Sequence, residues 1–284
     1  MVNNKQAIPD KLSDFSDLVR KYCKAYYLDL LGHKDWEKKA EAQIADAHYS
    51  SKIKFFEKFQ GFEIPSGSKI LVVGGGLGRE QKCLLNKGME VYSIEPDIDA
   101  LIIARLRALN GYPDKAYNYQ AVAEALPFPD NFFDYTVCFS VLEHVQDVEK
   151  SVNEMVRTVR VGGRLFVQNP NYNYPREAHY KRYLPILLPR FLLRLYLMYL
   201  RLPSYYITTL NFIRPFAFIK MLKKLPVSTL MIIHPVPETM GSKARFGLYR
   251  RFFGKLCMMQ AKLSWIIIKE STTRNPEDGF GEAS

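Results

Sequence analysis

One stretch constrains this chain more than any other: Lys69-Ile-Leu-Val-Val-Gly74-Gly75-Gly76-Leu77-Gly78-Arg79-Glu80. A run of aliphatic residues too short for a buried helix meets four glycines in five positions. An amphipathic segment, Glu80 to Asn86, follows, and Gly88 stands just past it as a helix stop. The pattern predicts a buried strand, a tight turn and a helix. Glycines let the backbone turn sharply and approach a ligand, with a helix N-terminus behind it. Met89 to Asp97 then predicts a second strand with an acid, Glu95, at its end, 21 residues beyond Gly74. A carboxylate at that distance is where a nucleoside-binding sheet holds its ribose hydroxyls.

The spacing separates two cofactor classes. A dinucleotide fingerprint needs glycine at 79, and 79 is Arg. The pattern present, Gly74-x-Gly76-x-Gly78, resembles motif I of the class I S-adenosylmethionine-dependent methyltransferases. The resemblance continues in Ala123-Glu124-Ala125-Leu126-Pro127-Phe128-Pro129-Asp130-Asn131-Phe132-Phe133-Asp134, in Phe139-Ser140-Val141-Leu142-Glu143-His144-Val145 and in Gly162-Gly163-Arg164-Leu165. It covers Ser68 to Asn171 and is closest to the type 11 subgroup that contains the quinone-biosynthesis methyltransferases. It implies an α/β fold with a doubly wound, Rossmann-like, mostly parallel seven-stranded sheet, the last strand inserted antiparallel. The implied cofactor is S-adenosylmethionine, leaving as S-adenosylhomocysteine. By the same resemblance Gly74, Gly75, Gly76 and Gly78 pass along its methionine and ribose. Glu95, followed by Pro96, accepts from the ribose hydroxyls, for which a carboxylate has enough lone pairs. Ala123 and Glu124 meet the adenine through their backbone, and Ser140 completes the set. Two positions depart from the family: Val72 stands where an acid usually orients the methionine end, and Val122 where an Asp usually meets the adenine amine.

Methyl transfer from a sulfonium is an in-line displacement, which needs an aligned nucleophile and often a base. His144, just after the fourth strand, is a candidate base; Glu143-His144 is equally readable as a local turn motif. Glu177 and His179, just after the fifth strand, are the other candidates, or else surface loop groups. The five histidines and the acids show no metal-ligand spacing, so no metal is expected.

The rest of the chain divides into five segments. Residues 1–66 are expected to form a helical cap, with one helix near Leu18 to Leu30, a break at Gly32 and a second helix from Trp36 to Phe59. The cap either seals a sheet edge or closes over the cofactor. Residues 67–172 form the cofactor-binding core. Its expected strands are Lys69–Val73, Glu90–Ile94, Asn118–Val122, Asp134–Ser140 and Arg164–Gln168. Its helices are Arg79–Asn86, Ile98–Asn110 and Val148–Arg160, the last capped by Asp147 and ended by Gly162-Gly163. Residues 173–226 form a helical lid with helices Leu187–Leu202 and Asn211–Leu225. Residues 227–271 complete the core with strands Val227–His234 and Leu263–Lys269 around a basic helix, Lys243–Ala261. Residues 272–284 are a polar tail expected to be disordered.

Charge is unevenly placed. Residues 173–284 hold 18 Lys/Arg and 6 Asp/Glu, net +12, while residues 1–172 hold 22 and 23. The excess, in residues 183–262 above all, points to an anionic partner, a membrane surface or an acidic substrate, with no recognised nucleic-acid module in view. The segment Tyr183 to Leu202 is apolar nearly all round but broken by Arg190, Arg194 and Arg201, a poor spanning helix and a fair interfacial one. Cys23, Cys83, Cys138 and Cys257 form no pair or cluster, and Met1 to Asp17 is polar rather than a secretory leader. A cytoplasmic protein, peripheral at a membrane, is expected. Two functions compete: methyl transfer to a small apolar, lipid-linked or glycan-type acceptor, or a methyltransferase-like scaffold with a degenerate cofactor site and a basic binding face. The oligomeric state is open.

Overall fold

The computed structural model describes residues 12–45, 50–109, 114–174, 176–185, 188–232 and 262–271. The predicted basic helix Lys243–Ala261 and the tail 272–284 lie outside these residues.

The strands are β1 (Lys69–Val73), β2 (Glu90–Ile94), β3 (Ala116–Tyr119), β4 (Phe133–Phe139), β5 (Val159–Pro170), β8 (Val227–Ile232) and β9 (Lys262–Lys269); β6 (Arg176–Glu177) and β7 (Arg182–Tyr183) form a separate small ladder. They assemble in the order β3-β2-β1-β4-β5-β9-β8. The first five are mutually parallel, and β9 runs antiparallel between β5 and β8. This is the doubly wound, seven-stranded α/β sheet that the resemblance implies. The strand order reverses between β1 and β4, so the crevice for a ligand opens at their C-terminal ends.

Alternation along β1 assigns its two faces. Leu71 and Val73 join Phe133, Leu165 and Trp265 in one core, covered by α6 (Val148–Thr158) and α9 (Pro215–Leu222). Ile70 and Val72 join Val137 and Phe166 in the other, covered by α3 (Ser50–Gln60) and α4 (Arg79–Asn86). Both faces of β1 are buried, which is why it reads as an unbroken aliphatic run. Val72 therefore fills the core at 2% exposure.

Several predicted boundaries are corrected. Trp36–Phe59 is not one helix: α2 (Trp36–Ile44) and α3 are separate. The third strand ends at Tyr119, and Val122 is exposed beyond it. Asp147 does cap α6, its Oδ1 accepting from Lys150 N at 2.9 Å. Gly162-Gly163 does not end that helix; Val159 already pairs with Phe133, and both glycines lie within β5. At Gly163 a Cβ would come within 2.8 Å of the Asp134 carbonyl, so the close strand approach explains the residue. Leu187–Leu202 shortens to α7 (Arg190–Tyr199), because Pro189 has no N–H to extend the ladder upstream. Arg201, at φ +54°, turns the chain away just after it. Asn211–Leu225 shortens to α9 with Pro215 at its first turn, and a short α8 (Tyr206–Thr209) was not foreseen.

The N-terminal segment is α1 (Leu12–Cys23) running into a π-helical turn, Lys24–Leu30, that stops before Gly32 at φ +70°. Val19 and Cys23 of α1 pack on Ile103 of α5 (Ile98–Leu109), while Leu31, Tyr26 and Tyr27 join Leu193, Leu197 and Ile207 of the insertion. The segment thus bridges the cofactor half of the sheet and the helices after β5. Among the described residues no helix is long and apolar enough to cross a membrane.

Candidate active site

The first half of the site is the turn after β1. Gly74, Gly76 and Gly78 have φ of +65°, +49° and +79°, in the left-handed region that disfavours any Cβ. At Gly78 a Cβ would also strike Ala104 Cα at 2.8 Å, so α5 packs directly on that backbone. At Gly76 nothing lies within 4 Å of a Cβ position, so this backbone faces open space. Gly74 and Gly75 are crowded instead by Val141 and Ser93. Glu95 ties the turn to the end of β2: its Oε2 accepts from Gly76 N at 2.8 Å and its Oε1 from Asp97 N at 3.1 Å. Burial raises its pKa, and those backbone donors work against the rise. Two oxygens so fixed still offer lone pairs to ribose hydroxyls.

The remaining cofactor candidates line the same edge. Pro96 is exposed, its carbonyl accepting from Gln120 Nε2 at 3.2 Å. Ala123 is buried beside Leu126 in the core. The Glu124 side chain is already engaged, accepting from Gln146 N at 2.6 Å and Asp147 N at 3.2 Å, which leaves its backbone for a ligand. Ser140 sits at the tip of β4 with φ +59° and its N–H donating to the Gln168 carbonyl at 2.7 Å. A non-glycine residue held there stores strain, as sites often do.

The second half follows β4. The turn brings Glu143 and His144 to the rim, and the chain after β5 brings Glu177 and His179 against them. The His144 and His179 rings lie edge to face with centroids 5.1 Å apart. Glu177, buried, accepts from His179 Nδ1 at 2.7 Å, which fixes the ring and leaves Nε2 free. Glu177 also accepts from Tyr180 N at 2.7 Å. His144 Nδ1 meets the Tyr206 hydroxyl at 3.4 Å, and that hydroxyl meets Tyr26 at 3.2 Å. Burial, then the neighbouring His179, push the His144 pKa down to about 4, so its ring is neutral at physiological pH. Burial pushes Glu143 up to about 7.

Thus the three candidates that are scattered in sequence, His144, Glu177 and His179, converge. Sequence reading missed Glu143, Tyr206 and Tyr26 as neighbours of the cluster. The local pattern carried no signal for the tyrosines, whose partners lie up to 180 residues away. Spacing also showed no metal set, yet the fold brings ligand atoms of Glu143, His144 and His179 within 4.8 Å of one another.

A nucleoside-type crevice at the β1/β4 switch point, with Glu95 bracing a glycine turn, defines a class I methyltransferase fold. Residues 71–167 match the family model described as a methyltransferase domain. Over 171 residues the chain is 26% identical to a ubiquinone biosynthesis O-methyltransferase of Hydrogenovibrio crunogenus, covering 60% of this chain and 64% of that one. Over 108 residues it is 35% identical to the ubiquinone/menaquinone biosynthesis C-methyltransferase UbiE of Hahella chejuensis, covering 37% and 43%. These matches span less than two thirds of the relatives' own length. Among solved structures the YcgJ protein from Bacillus subtilis has the same fold, with a TM-score of 0.53 at 17% identity, covering 78% of this chain and 100% of that one. The core is a class I S-adenosylmethionine-dependent methyltransferase domain, and S-adenosylmethionine is its cofactor. The open backbone at Gly76 and the two-oxygen brace of Glu95 fit that ligand.

Proposed function

We propose that the protein transfers the methyl group of S-adenosylmethionine to an oxygen of a small, apolar or lipid-linked acceptor. The observation that carries this reading is the placement of the imidazole cluster on the β4 rim next to the glycine turn, with Gly74 packed under Val141. Bound at the glycine turn, S-adenosylmethionine would supply an electrophilic methyl group, and His144 and His179 would stand where an acceptor hydroxyl is held for attack. His179 Nε2, with its other nitrogen held by Glu177, takes the proton. Two of the relatives are named for ubiquinone biosynthesis, which agrees with an aromatic ring, Tyr206, packed beside His144 and His179.

The test begins with calorimetric titration of S-adenosylhomocysteine into the wild type and Glu95→Ala. Binding that the variant loses supports the cofactor half, and absence of wild-type binding refutes it. Radiolabelled transfer onto lipid extracts then reads the acceptor half, with His179→Gln expected to abolish it.

A membrane surface as the place of reaction is favoured by α7. It buries Leu193 and Leu197 inward, yet its outward face carries Phe191, Leu195 and Met198 at 64%, 56% and 56% exposure. These recur at i, i+4 and i+7, a continuous stripe. Arg194 and Arg201 are exposed beside it, whereas Arg190 is engaged with the Thr208 and Leu210 carbonyls at 2.7 Å each. An apolar stripe edged by arginine suits the headgroup boundary of an anionic bilayer. Sedimentation with phosphatidylglycerol vesicles is expected, and no sedimentation refutes this half.

A further inference from the structure

The base mechanism uses His179 and Glu177 but leaves Glu143 without a purpose. Its side chain is fully buried, and neither carboxylate oxygen has a hydrogen-bond partner among the described residues. Such a group is costly to bury alone and calls for a compensating cation or proton donor. The His144 ring nitrogen Nε2 lies 3.9 Å from Oε1, too far for a hydrogen bond. That separation, and the 4.8 Å limit among the ligand atoms of Glu143, His144 and His179, leave room for something between them. Donors about 2.0–2.2 Å from a tetrahedral ion lie about 3.3–3.6 Å apart, so these side chains would draw together by rotamer adjustment as the ion binds.

We propose that Glu143, His144 and His179 bind one divalent transition-metal ion, zinc being the best match for two imidazoles and a carboxylate. Three protein ligands with a fourth position open is the usual donor count of a catalytic zinc site. The outer contacts follow the same logic. A ligating imidazole normally donates its other N–H to a carboxylate, which fixes the tautomer and turns the free lone pair to the metal. Glu177 makes that contact to His179 Nδ1 at 2.7 Å, so Nε2 is the ligating atom. Tyr206 stands at 3.4 Å from His144 Nδ1 in the matching place. His33 steadies the same corner from the N-terminal segment, its Nε2 bonded to the His179 carbonyl at 2.8 Å. Coordination through two nitrogens and an oxygen would disfavour calcium and magnesium, which prefer oxygen sets.

The chemical consequence rests on the methyl-transfer reading. With the ion bound, His179 Nε2 would be a ligand rather than the base; the open position would take the acceptor's hydroxyl oxygen and lower its pKa, the proton passing to solvent. Metal binding itself does not need that reading.

The test uses the full chain, stripped with EDTA and titrated with cobalt(II), a spectroscopically visible stand-in for zinc. We expect one cobalt per chain, a visible ligand-field band of tetrahedral or five-coordinate type, and displacement by zinc. Glu143→Gln and His179→Gln should each abolish the band while thermal melting shows them folded. Glu177→Gln should bind about 10- to 100-fold more weakly and shift the band, since it only orients His179. No one-to-one binding, or binding unchanged in both ligand variants, overturns the site. A sulfur charge-transfer band, placing the ion on a cysteine, overturns it as well. S-adenosylhomocysteine titration of the same samples reads the cofactor site separately, so failure of the metal site and failure of the methyl-transfer reading are told apart.

Discussion

Gly76 and Gly78 lie two positions apart in one turn, yet their substitution by alanine should fail in different ways. At Gly78 an alanine must hold φ near +79° with its Cβ 2.8 Å from Ala104 Cα and 2.9 Å from Ala104 Cβ. The left-handed backbone costs about 1–2 kcal/mol. The overlap with α5 adds about 1–3 kcal/mol, because the contacting atoms are a helix backbone that cannot rotate aside. A loss of about 2–5 kcal/mol is a large share of a domain's usual stability of about 5–15 kcal/mol. At Gly76 the backbone term is similar, but no atom lies within 4 Å of the new Cβ, so the stability loss stops near about 1–2 kcal/mol. That empty space is where the cofactor backbone would pass. Gly76→Ala should therefore weaken S-adenosylhomocysteine binding by about tenfold or more, or about 1.4 kcal/mol. Guanidinium unfolding reads the first quantity as a midpoint shift at constant slope, and calorimetry on the folded fraction reads the second. The reasoning is refuted if Gly76→Ala binds as tightly as wild type, or if Gly78→Ala is no less stable than Gly76→Ala.

Three further outcomes are expected. Glu95→Gln keeps an acceptor for Gly76 N but loses the charge, so it should bind S-adenosylhomocysteine more weakly than wild type and more tightly than Glu95→Ala by calorimetry. Glu154, which accepts from Arg157 at 2.7 and 2.8 Å and from Leu126 N at 2.9 Å, has its pKa lowered chiefly by the arginine. Its contribution is present above the unfolded-state pKa and lost as pH falls through the folded value, so Glu154→Gln should cost about 1–2 kcal/mol at pH 7 and nearly nothing in strong acid, read by urea midpoints. Leu195→Asp with Met198→Asp should leave the melting temperature within a few degrees, since both side chains are more than half exposed, while abolishing vesicle sedimentation.

How much was legible in the sequence depended on how local the signal was. β1, β2 and α4 appear with the predicted bounds, because a buried aliphatic strand, a glycine turn and a helix stop each announce themselves within a few residues. The strands β8 and β9 were legible in their own apolar runs, while their antiparallel insertion came from the resemblance. The insertion was harder. An apolar, arginine-broken run hides its helix ends, and Pro189 and Pro215 set them through a missing N–H and a fixed φ. Its burial could not be read from the run: α7 is covered on one stripe and bare on the opposite one, a distinction that composition averages away. The cluster of His144, Glu177 and His179 was visible only as separate candidates. Its members lie 35 positions apart from His144 to His179, and spacing tests built for contiguous motifs cannot see ligands that meet only when the strands are ordered.

The acceptor half of the site is held to the insertion through one residue that does not touch the cofactor half, which makes the halves separable by experiment. Asn211 lies in the extended link before α9. Its backbone N–H donates to the Glu143 carbonyl at 2.7 Å, and its side-chain amide donates to the Leu142 carbonyl at 3.3 Å and to the Val145 carbonyl. Through these bonds the insertion holds the turn that carries Glu143 and His144, while the glycine turn and Glu95 have their own supports in β2 and α5. Asn211→Ala removes the side-chain donors and leaves two carbonyls unpaired, a cost of about 1–3 kcal/mol. It should loosen the imidazole cluster without touching the cofactor's ribose end. S-adenosylhomocysteine affinity should then stay within roughly twofold, about 0.4 kcal/mol, while methyl transfer falls by orders of magnitude, as displacement of an aligned group predicts. A parallel fall in both would mean that the cofactor and acceptor halves form one cooperative unit, and the division of labour between the glycine turn and the insertion would have to be abandoned.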